Sequence, residues 1–319
     1  MRLNQINFEN IIKKNFLFEK KPKIAVAVSG GPDSMALVYL LDKWVKKNNG
    51  KLIALIVDHK IRKESSSEAE TVKLNLFNLK IQSKILRISN ISIIKKTMSE
   101  ARENRFKKLI NYCLKEDIFH LFLGQHYDDN LETFLLRKIG GSNIEGLKGI
   151  KLIHHSNNIR ILRPFLFFNK KSILLFLLKN NINFVEDPSN FNLNYSRVII
   201  RNFLLKEDGF KKKIEEDFSE IQKLYPFYKK MIYQSMNKSI VRISKTKVII
   251  NNFIFFKNDL EIQSKIIELI YSLLKPDKRF LRQKKIINCL FRLMRSDNLK
   301  SNLGGMYIKK DNICTTFDI

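Results

Sequence analysis

Lys23-Ile24-Ala25-Val26-Ala27-Val28-Ser29-Gly30-Gly31-Pro32-Asp33-Ser34 is the stretch that decides the fold. Residues 24–28 make an apolar run of strand length, and the two glycines stop it at once. Leu37, Val38, Leu41, Trp44 and Val45 then recur at helical spacing. The turn between strand and helix is suited to cradle phosphate. Adjacent glycines let backbone N–H groups face an anion with no Cβ in the way. The helix start adds unpaired N–H donors and a favourable dipole, and Ser29 and Ser34 add hydroxyls. Asp33 would repel a bound polyphosphate, so its position predicts Mg²⁺ between carboxylate and phosphates. A plain strand-to-helix turn capped by Ser or Asp would use the same residue types. The unbroken six-residue run at a strand's carboxyl end favours the phosphate reading. Ser29, Gly30, Gly31, Pro32, Asp33 and Ser34 are therefore candidate phosphate ligands, with Asp33 also the candidate metal ligand and so a candidate catalytic residue. No GxxxxGK[ST] occurs in the chain, which excludes a P-loop NTPase.

Outward from that turn, short apolar runs alternate with amphipathic stretches. Strands are expected at 52–57, 84–88 and 119–123, and helices at 65–79, at 95–114 and from about 128. This alternation predicts an α/β fold, a Rossmann-like parallel sheet with helices on both faces. Ligands of such sheets sit outside the carboxyl ends of the strands. After about residue 205 the rhythm changes. Residues 210–238 read as a charged helical connector interrupted by Pro226, and 240–256 as short strands. Two basic helices, 259–274 and 278–294, and a strand pair around Gly304-Gly305 complete the chain. The expected division is a catalytic domain over 1–209 and a smaller basic α+β domain over 210–319.

Charge gives the first sign of a partner. Fifty-nine Lys and Arg face 31 Asp and Glu among 319 residues, a formal +28. The abundance of Lys, Asn, Ile and Phe fits AT-rich coding, but that bias would enrich Glu as readily as Lys. The shortage of acid points to a polyanion, most commonly nucleic acid. Arg137, Lys138, Arg160, Arg163, Arg197 and Arg201 are candidates for phosphate contact beside the site, and Arg279 and Arg282 in the C-terminal part. Any one of them reads equally well as a solvated charge; together they suit a phosphate backbone. No apolar run is long enough to span a bilayer, and the first twenty residues lack a small-residue cleavage site. A cytoplasmic protein with no membrane partner is expected. Cys113, Cys289 and Cys314 are far apart and form no CxxC, which speaks against a disulfide framework and a Zn or Fe–S site.

The 29–34 run resembles the SGGxDS loop of the N-type ATP pyrophosphatases, the PP-loop family. Its members cleave ATP between the α and β phosphates and adenylate a carbonyl oxygen of the substrate. Further stretches narrow the resemblance: Val57-Asp58-His59, Ala101-Arg102-Glu103-Asn104-Arg105, and Gly124-Gln125-His126-Tyr127-Asp128-Asp129-Asn130 with Glu132-Thr133. Leu162-Arg163-Pro164 and Glu186-Asp187-Pro188-Ser189-Asn190, leading to Arg197 and Arg201, follow in order. In this order and spacing the chain resembles the tRNA(Ile)-lysidine synthetases. It departs from their usual pattern at Gln125, where a histidine is common, and at Asn130, where glutamine is.

The resemblance implies ligation of L-lysine to C2 of the wobble cytidine in the CAU anticodon of tRNA(Ile). ATP first adenylates the base and is spent to AMP and pyrophosphate. Asp58 and His59 are then expected beside the nucleotide, and Arg105 on the developing phosphate charge. Asp129 and Glu132 lie three apart at a helix start and share a face, where they could hold the lysine ammonium and take its proton. Acidic residues also simply suit a helix N-terminus, and the residues alone do not choose between the two. His126 is a candidate for nucleotide contact or proton relay. A PP-loop tRNA sulfurtransferase is the alternative, and it would need a cysteine beside these motifs. ATP, Mg²⁺, tRNA and lysine complete the expected partners, with a homodimer as one assembly the chain could form.

Overall fold

The computed structural model describes residues 1–58, 65–88, 98–185, 196–276 and 281–319. The chain forms two compact units, Met1–Ser219 and Glu220–Ile319. In the first, β1 (Lys23–Val28) leads into α2 (Pro32–Lys47), after an N-terminal α1 (Gln5–Asn15). Then come β2 (Lys51–Asp58), α3 (Ser65–Asn78), β3 (Ser83–Arg87), α4 (Met98–Lys115), β4 (His120–Phe122) and α5 (Tyr127–Ile139). A short α6 (Ile144–Leu147), the hairpin β5 (Ile153–Ser156) and β6 (Ile159–Leu162), α7 (Lys170–Lys179) and α8 (Ser196–Lys206) follow.

The six strands lie in the order β3-β2-β1-β4-β6-β5. All neighbours are parallel except β5 against β6. The chain moves outward from β1 to β2 and β3, then returns to place β4 on β1's other side. That reversal opens a crevice at the carboxyl ends of β1 and β4. β1 shows why both faces are covered. Ile24, Val26 and Val28 pack into a core with α1, α2, α3 and α7, while Ala25 joins the core of Leu109, Ile110 and Cys113 from α4. Period-two alternation of apolar side chains feeds both cores.

β5 departs from the all-parallel expectation. Asn157 and Asn158, at φ of 45° and 63°, join it to β6. Two consecutive positive-φ residues make the tight hairpin turn that asparagine tolerates, so the strands must be antiparallel.

In the second part of the chain, α9 (Asp208–Ser239) leads to β7 (Ile240–Ile243), β8 (Lys247–Asn251), α10 (Asn252–Phe256), α11 (Leu260–Leu274) and α12 (Gln283–Arg295). β9 (Leu299–Leu303), β10 (Met306–Lys310) and β11 (Cys314–Asp318) finish it. The antiparallel sheet runs β7-β8-β11-β10-β9. Three expectations need correction here. Pro226 does not interrupt the helix, because α9 runs through it. The lost hydrogen bond costs about 3 kcal/mol, and α9 is anchored on both sides, by buried Ile214 and Phe218 before and Ile232 and Met236 after. Residues 252–256 are helical, started by the Asn251 side chain accepting from the Ile254 amide at 3.1 Å. α11 is not basic: its one lysine, Lys265, pairs with Glu268 at 2.6 Å, Glu261 adds a second acid, and much of the helix is core.

Buried Lys310 belongs to that second core. Its Nζ donates to the carbonyls of Leu293 and Ser296, both at 2.8 Å, at the end of α12. A cation there suits the helix's negative pole and its unpaired carbonyls. Among the described residues no helix is long and apolar enough to cross a membrane.

Candidate active site

The loop after β1 has the form its sequence demands. Gly30 sits at φ 86°, and a Cβ there would run into Val72 of α3. The Ser34 hydroxyl donates to the Gly31 carbonyl at 2.9 Å and accepts from the Ser29 amide at 3.2 Å, closing the turn on itself. Pro32 opens α2 at its first position, where a missing N–H costs nothing. Gly124, just after β4, packs on this turn. A Cβ on it would lie 3.1 Å from the Asp33 carbonyl carbon, so the end of β4 packs on the first turn of α2 because residue 124 has no side chain.

Three acidic groups gather around His126. Its Nε2 lies 3.8 Å from Asp33 and 3.6 Å from Asp129, and its Nδ1 3.7 Å from Asp128. The ring is 4% exposed, and Nδ1 finds no hydrogen-bond partner among the described residues. Asp129 holds the chain here, accepting from the His126 amide at 2.9 Å. Asp128 accepts from the Lys170 amide at 2.7 Å and from Lys211 at 3.2 Å. Burial pushes its carboxyl up, but the Lys170 amide and Lys211 outweigh that, leaving it below the usual range.

Lys170 is the residue sequence reasoning missed. Its ammonium reaches both Asp33 oxygens, at 2.7 and 2.8 Å, from the first turn of α7. Asn169 caps that helix through the Ser172 amide at 2.9 Å, and an Asn before an apolar run was the available signal.

Glu132 and Asp129 share a face of α5 as expected, but their surroundings separate them. Glu132 is 1% exposed and gripped by Arg201, Nε to Oε1 at 2.6 Å and Nη2 to Oε2 at 3.3 Å. Burial raises the Glu132 carboxyl above its ordinary value, with Arg201 opposing. Asp129 keeps more exposure and meets Arg201 only at 4.0 Å.

The remaining basic candidates divide by position. Arg197 donates to the Thr133 hydroxyl at 2.8 Å. Arg163, at the end of β6, is buried, bonded to Gln125 and to the Lys151 carbonyl, and burial pushes its guanidinium down to about 10. Arg102 stands close enough to both Arg163 and Arg197 for each pair to repel. Arg105 lies exposed on the same helix, α4. Arg201, on α8, serves Glu132.

Arg160 needs correction, because it is not beside the loop. It pairs with His120 at the start of β4, level with Ile24, and donates to the Leu17 carbonyl at 2.7 Å. Five strand residues separate that level from Ser29, about 16 Å at 3.3 Å each. Arg137 and Lys138 close the far end of α5, where Arg137 bonds the Gly146 carbonyl at 2.6 Å and Lys138 pairs with Asp217. Arg282 precedes α12 in the second unit. His59 and Arg279 lie outside the described residues.

Asp58, at the end of β2, is 2% exposed and accepts from Ser65 at 3.0 Å and Ser66 at 2.8 Å, which start α3. It also lines a cavity of about 290 Å³ with Ser66, Ala69, Glu70, Ile85 and Arg87. Cys113 and Cys289 are fully buried, and burial pushes the Cys113 thiol up to about 12. Among the described residues no group of His, Cys, Asp and Glu could by itself hold a metal ion.

Comparison with known proteins agrees with this geometry. Residues 2–208 match the PP-loop domain model. A protein of Rickettsia typhi named tRNA(Ile)-lysidine synthase is 33% identical over 298 residues, 90% of this chain and 67% of its own length. One of Orientia tsutsugamushi with the same name is 38% identical over 200 residues, 63% of this chain and 45% of its own length. This chain thus spans between about half and two thirds of the relatives it matches. Among solved structures, the U34-tRNA thiolase NcsA from Methanococcus maripaludis with its [4Fe-4S] cluster shares the fold. Its TM-score is 0.56 at 20% identity, covering 69% of this chain and 79% of that one. With an SGGPDS turn at a switch point between parallel strands, an acidic helix facing it, and these relatives, the chain belongs to the tRNA(Ile)-lysidine synthase family of PP-loop proteins.

Proposed function

We propose that the chain ligates L-lysine to C2 of the wobble cytidine of tRNA(Ile) with a CAU anticodon, spending ATP to AMP and pyrophosphate through an adenylated base. The observation that carries this reading is the meeting of two strand ends. A closed phosphate cradle at β1 faces the carboxylates of α5 after β4, with Arg102 nearby, close to Arg163, Arg197 and Asp129. Arg102 repels both Arg163 and Arg197 and is offset by Asp129; a polyphosphate with a tRNA backbone would supply the further anion that such a cluster favours.

Each residue has a share. The amides of the 29–34 turn that are not bonded within it, with the Ser29 hydroxyl, bind phosphate, while the Ser29 amide and the Ser34 hydroxyl hold the turn closed. Asp33 fits Mg²⁺ as a single carboxylate ligand, since it is partly exposed and its two oxygens already face a cation, Lys170. Magnesium commonly takes one or two carboxylates and completes its shell with phosphate and water. When bound, it neutralises charge on the phosphates. Lys170, so placed, can turn from Asp33 to a phosphate oxygen. Asp129 holds the ammonium of lysine and accepts its proton, while Glu132 keeps Arg201 in place. His126, whose Nδ1 finds no hydrogen-bond partner among the described residues, bonds the nucleotide or the base.

The test is direct. Incubating the protein with ATP, lysine and tRNA(Ile) transcript should give a nucleoside whose mass equals cytidine plus lysine less water. Unmodified cytidine with ATP intact would remove the proposal.

A sulfurtransferase shares the fold, so it sets the second test. Its chemistry needs a reactive thiol or cluster ligands, and a buried thiol raised to about 12 is inert at neutral pH. Replacing Cys113, Cys289 and Cys314 together by alanine should leave lysine transfer within about twofold, at a cost of roughly 1 kcal/mol of stability per buried thiol. Complete loss of tRNA modification in a folded triple variant would favour sulfur chemistry.

A further inference from the structure

The five-stranded sheet buries one face and leaves the other open. Val248, Ile250, Leu303, Met306, Ile308 and Phe317 pack with α11 and α12 into one core. The residues between them point the other way. Register places Arg242, Ile249, Thr316, Lys309 and Lys300 side by side across all five strands. At about 4.8 Å per strand this row is roughly 19 Å long. A second row on the same face holds Lys247, Asp318, Tyr307 and Asn302. Tyr307 is 64% exposed.

One pair of charges in these rows works against the sheet's own stability. Lys309 and Lys300 are direct cross-strand partners, and like charges so placed destabilise a sheet. The carboxylate of Asp318 pairs with Lys247 at 3.4 Å. Asp311 feels Lys309 but is spent mainly on the amides of Cys314 and Ile313. Among the described residues Arg242, Lys300 and Lys309 have no ion-pair partner.

We propose that this open sheet face, through Arg242, Lys300 and Lys309, contacts the phosphodiester backbone of RNA, with Tyr307 beside them as a stacking surface. The proposal rests on reading the chain as a tRNA-modifying enzyme. It concerns a surface distinct from the basic side of α12, which lies on the sheet's other side. A line of cations with an exposed aromatic in the adjacent row suits a nucleic-acid strand, which offers regularly spaced anions and flat bases.

The experiment measures affinity for a tRNA(Ile) transcript as a function of salt, for the full chain and for Lys300→Gln/Lys309→Gln. Losing two phosphate contacts, at about 0.7–0.9 each, should lower the slope of log K against log salt by about 1.4–1.8. The melting temperature should stay or rise as the repulsion is removed. Lys300→Arg/Lys309→Arg should keep the wild-type slope. An unchanged slope in the glutamine variant overturns the proposal, as does an arginine variant that loses as much. So does an unchanged slope accompanied by loss of a dimer in sedimentation, which would assign the face to a second copy. A wild-type chain with no affinity for this tRNA would sink the functional reading itself. Wild-type binding with an unaltered variant overturns the surface alone.

Discussion

Asp33→Ala is expected to reduce pyrophosphate release at least about 10²-fold while leaving tRNA affinity nearly intact. A ligand acting on charge that develops in the transition state is worth about 2.7–4 kcal/mol. The fold should not suffer. Asp33 and Lys170 are 27% and 35% exposed, and pairs that open to solvent contribute about 0–1 kcal/mol. The change also leaves the Lys170 ammonium without its partner, so Lys170→Gln is the companion variant. If Lys170 turns to phosphate, it too loses adenylation, yet Mg²⁺ binding should tighten because a competing cation has gone. Titration with Mn²⁺ in the presence of ATP would read that directly. Wild-type turnover by Asp33→Ala with Mg²⁺ limiting would remove the cradle assignment.

The second large effect separates two carboxylates that the sequence presents as a pair. Asp129→Asn should raise the apparent KM for lysine about 10- to 100-fold and spare pyrophosphate release. That range follows from about 1.5–3 kcal/mol for a charge-assisted contact. Glu132→Gln should behave differently, because its partner is Arg201 at 2.6 Å. Breaking a fully buried pair costs about 3–5 kcal/mol; Arg201 is 35% exposed, so the cost here falls below that. The melting temperature should drop, and both chemical steps should slow together as α8 loosens from α5. Equal lysine KM changes in the two variants, with equal stability, would mean that both carboxylates touch lysine. An unaffected lysine KM in Asp129→Asn would move the lysine site elsewhere.

The contrast shows where sequence reading stops. Strand, glycine turn and helix over residues 24–47 were legible because their signals are local. So was the shared face of Asp129 and Glu132, which helical spacing alone dictates. The Asn157-Asn158 pair is a local hairpin signal too, and it lies beyond the strands that the alternating pattern marks. What Lys170 and Arg201 meet was beyond reach for another reason. They meet their partners across 137 and 69 residues, and no periodicity encodes such a meeting. Arg160 and Arg163 look equivalent in a list of basic residues. Three residues along a strand put one at the amino end of the sheet and the other at the mouth of the crevice.

Lys310 offers a practical handle. Lys309 and Lys310 are adjacent, yet one is exposed to solvent and the other is 7% exposed with its ammonium spent on two carbonyls. An amine-acylating reagent should therefore mark Lys309 quickly and Lys310 only when the C-terminal unit opens. In a tryptic digest the pair becomes its own ratio-metric thermometer, with the reactive neighbour correcting for reagent and the sheltered one reporting integrity.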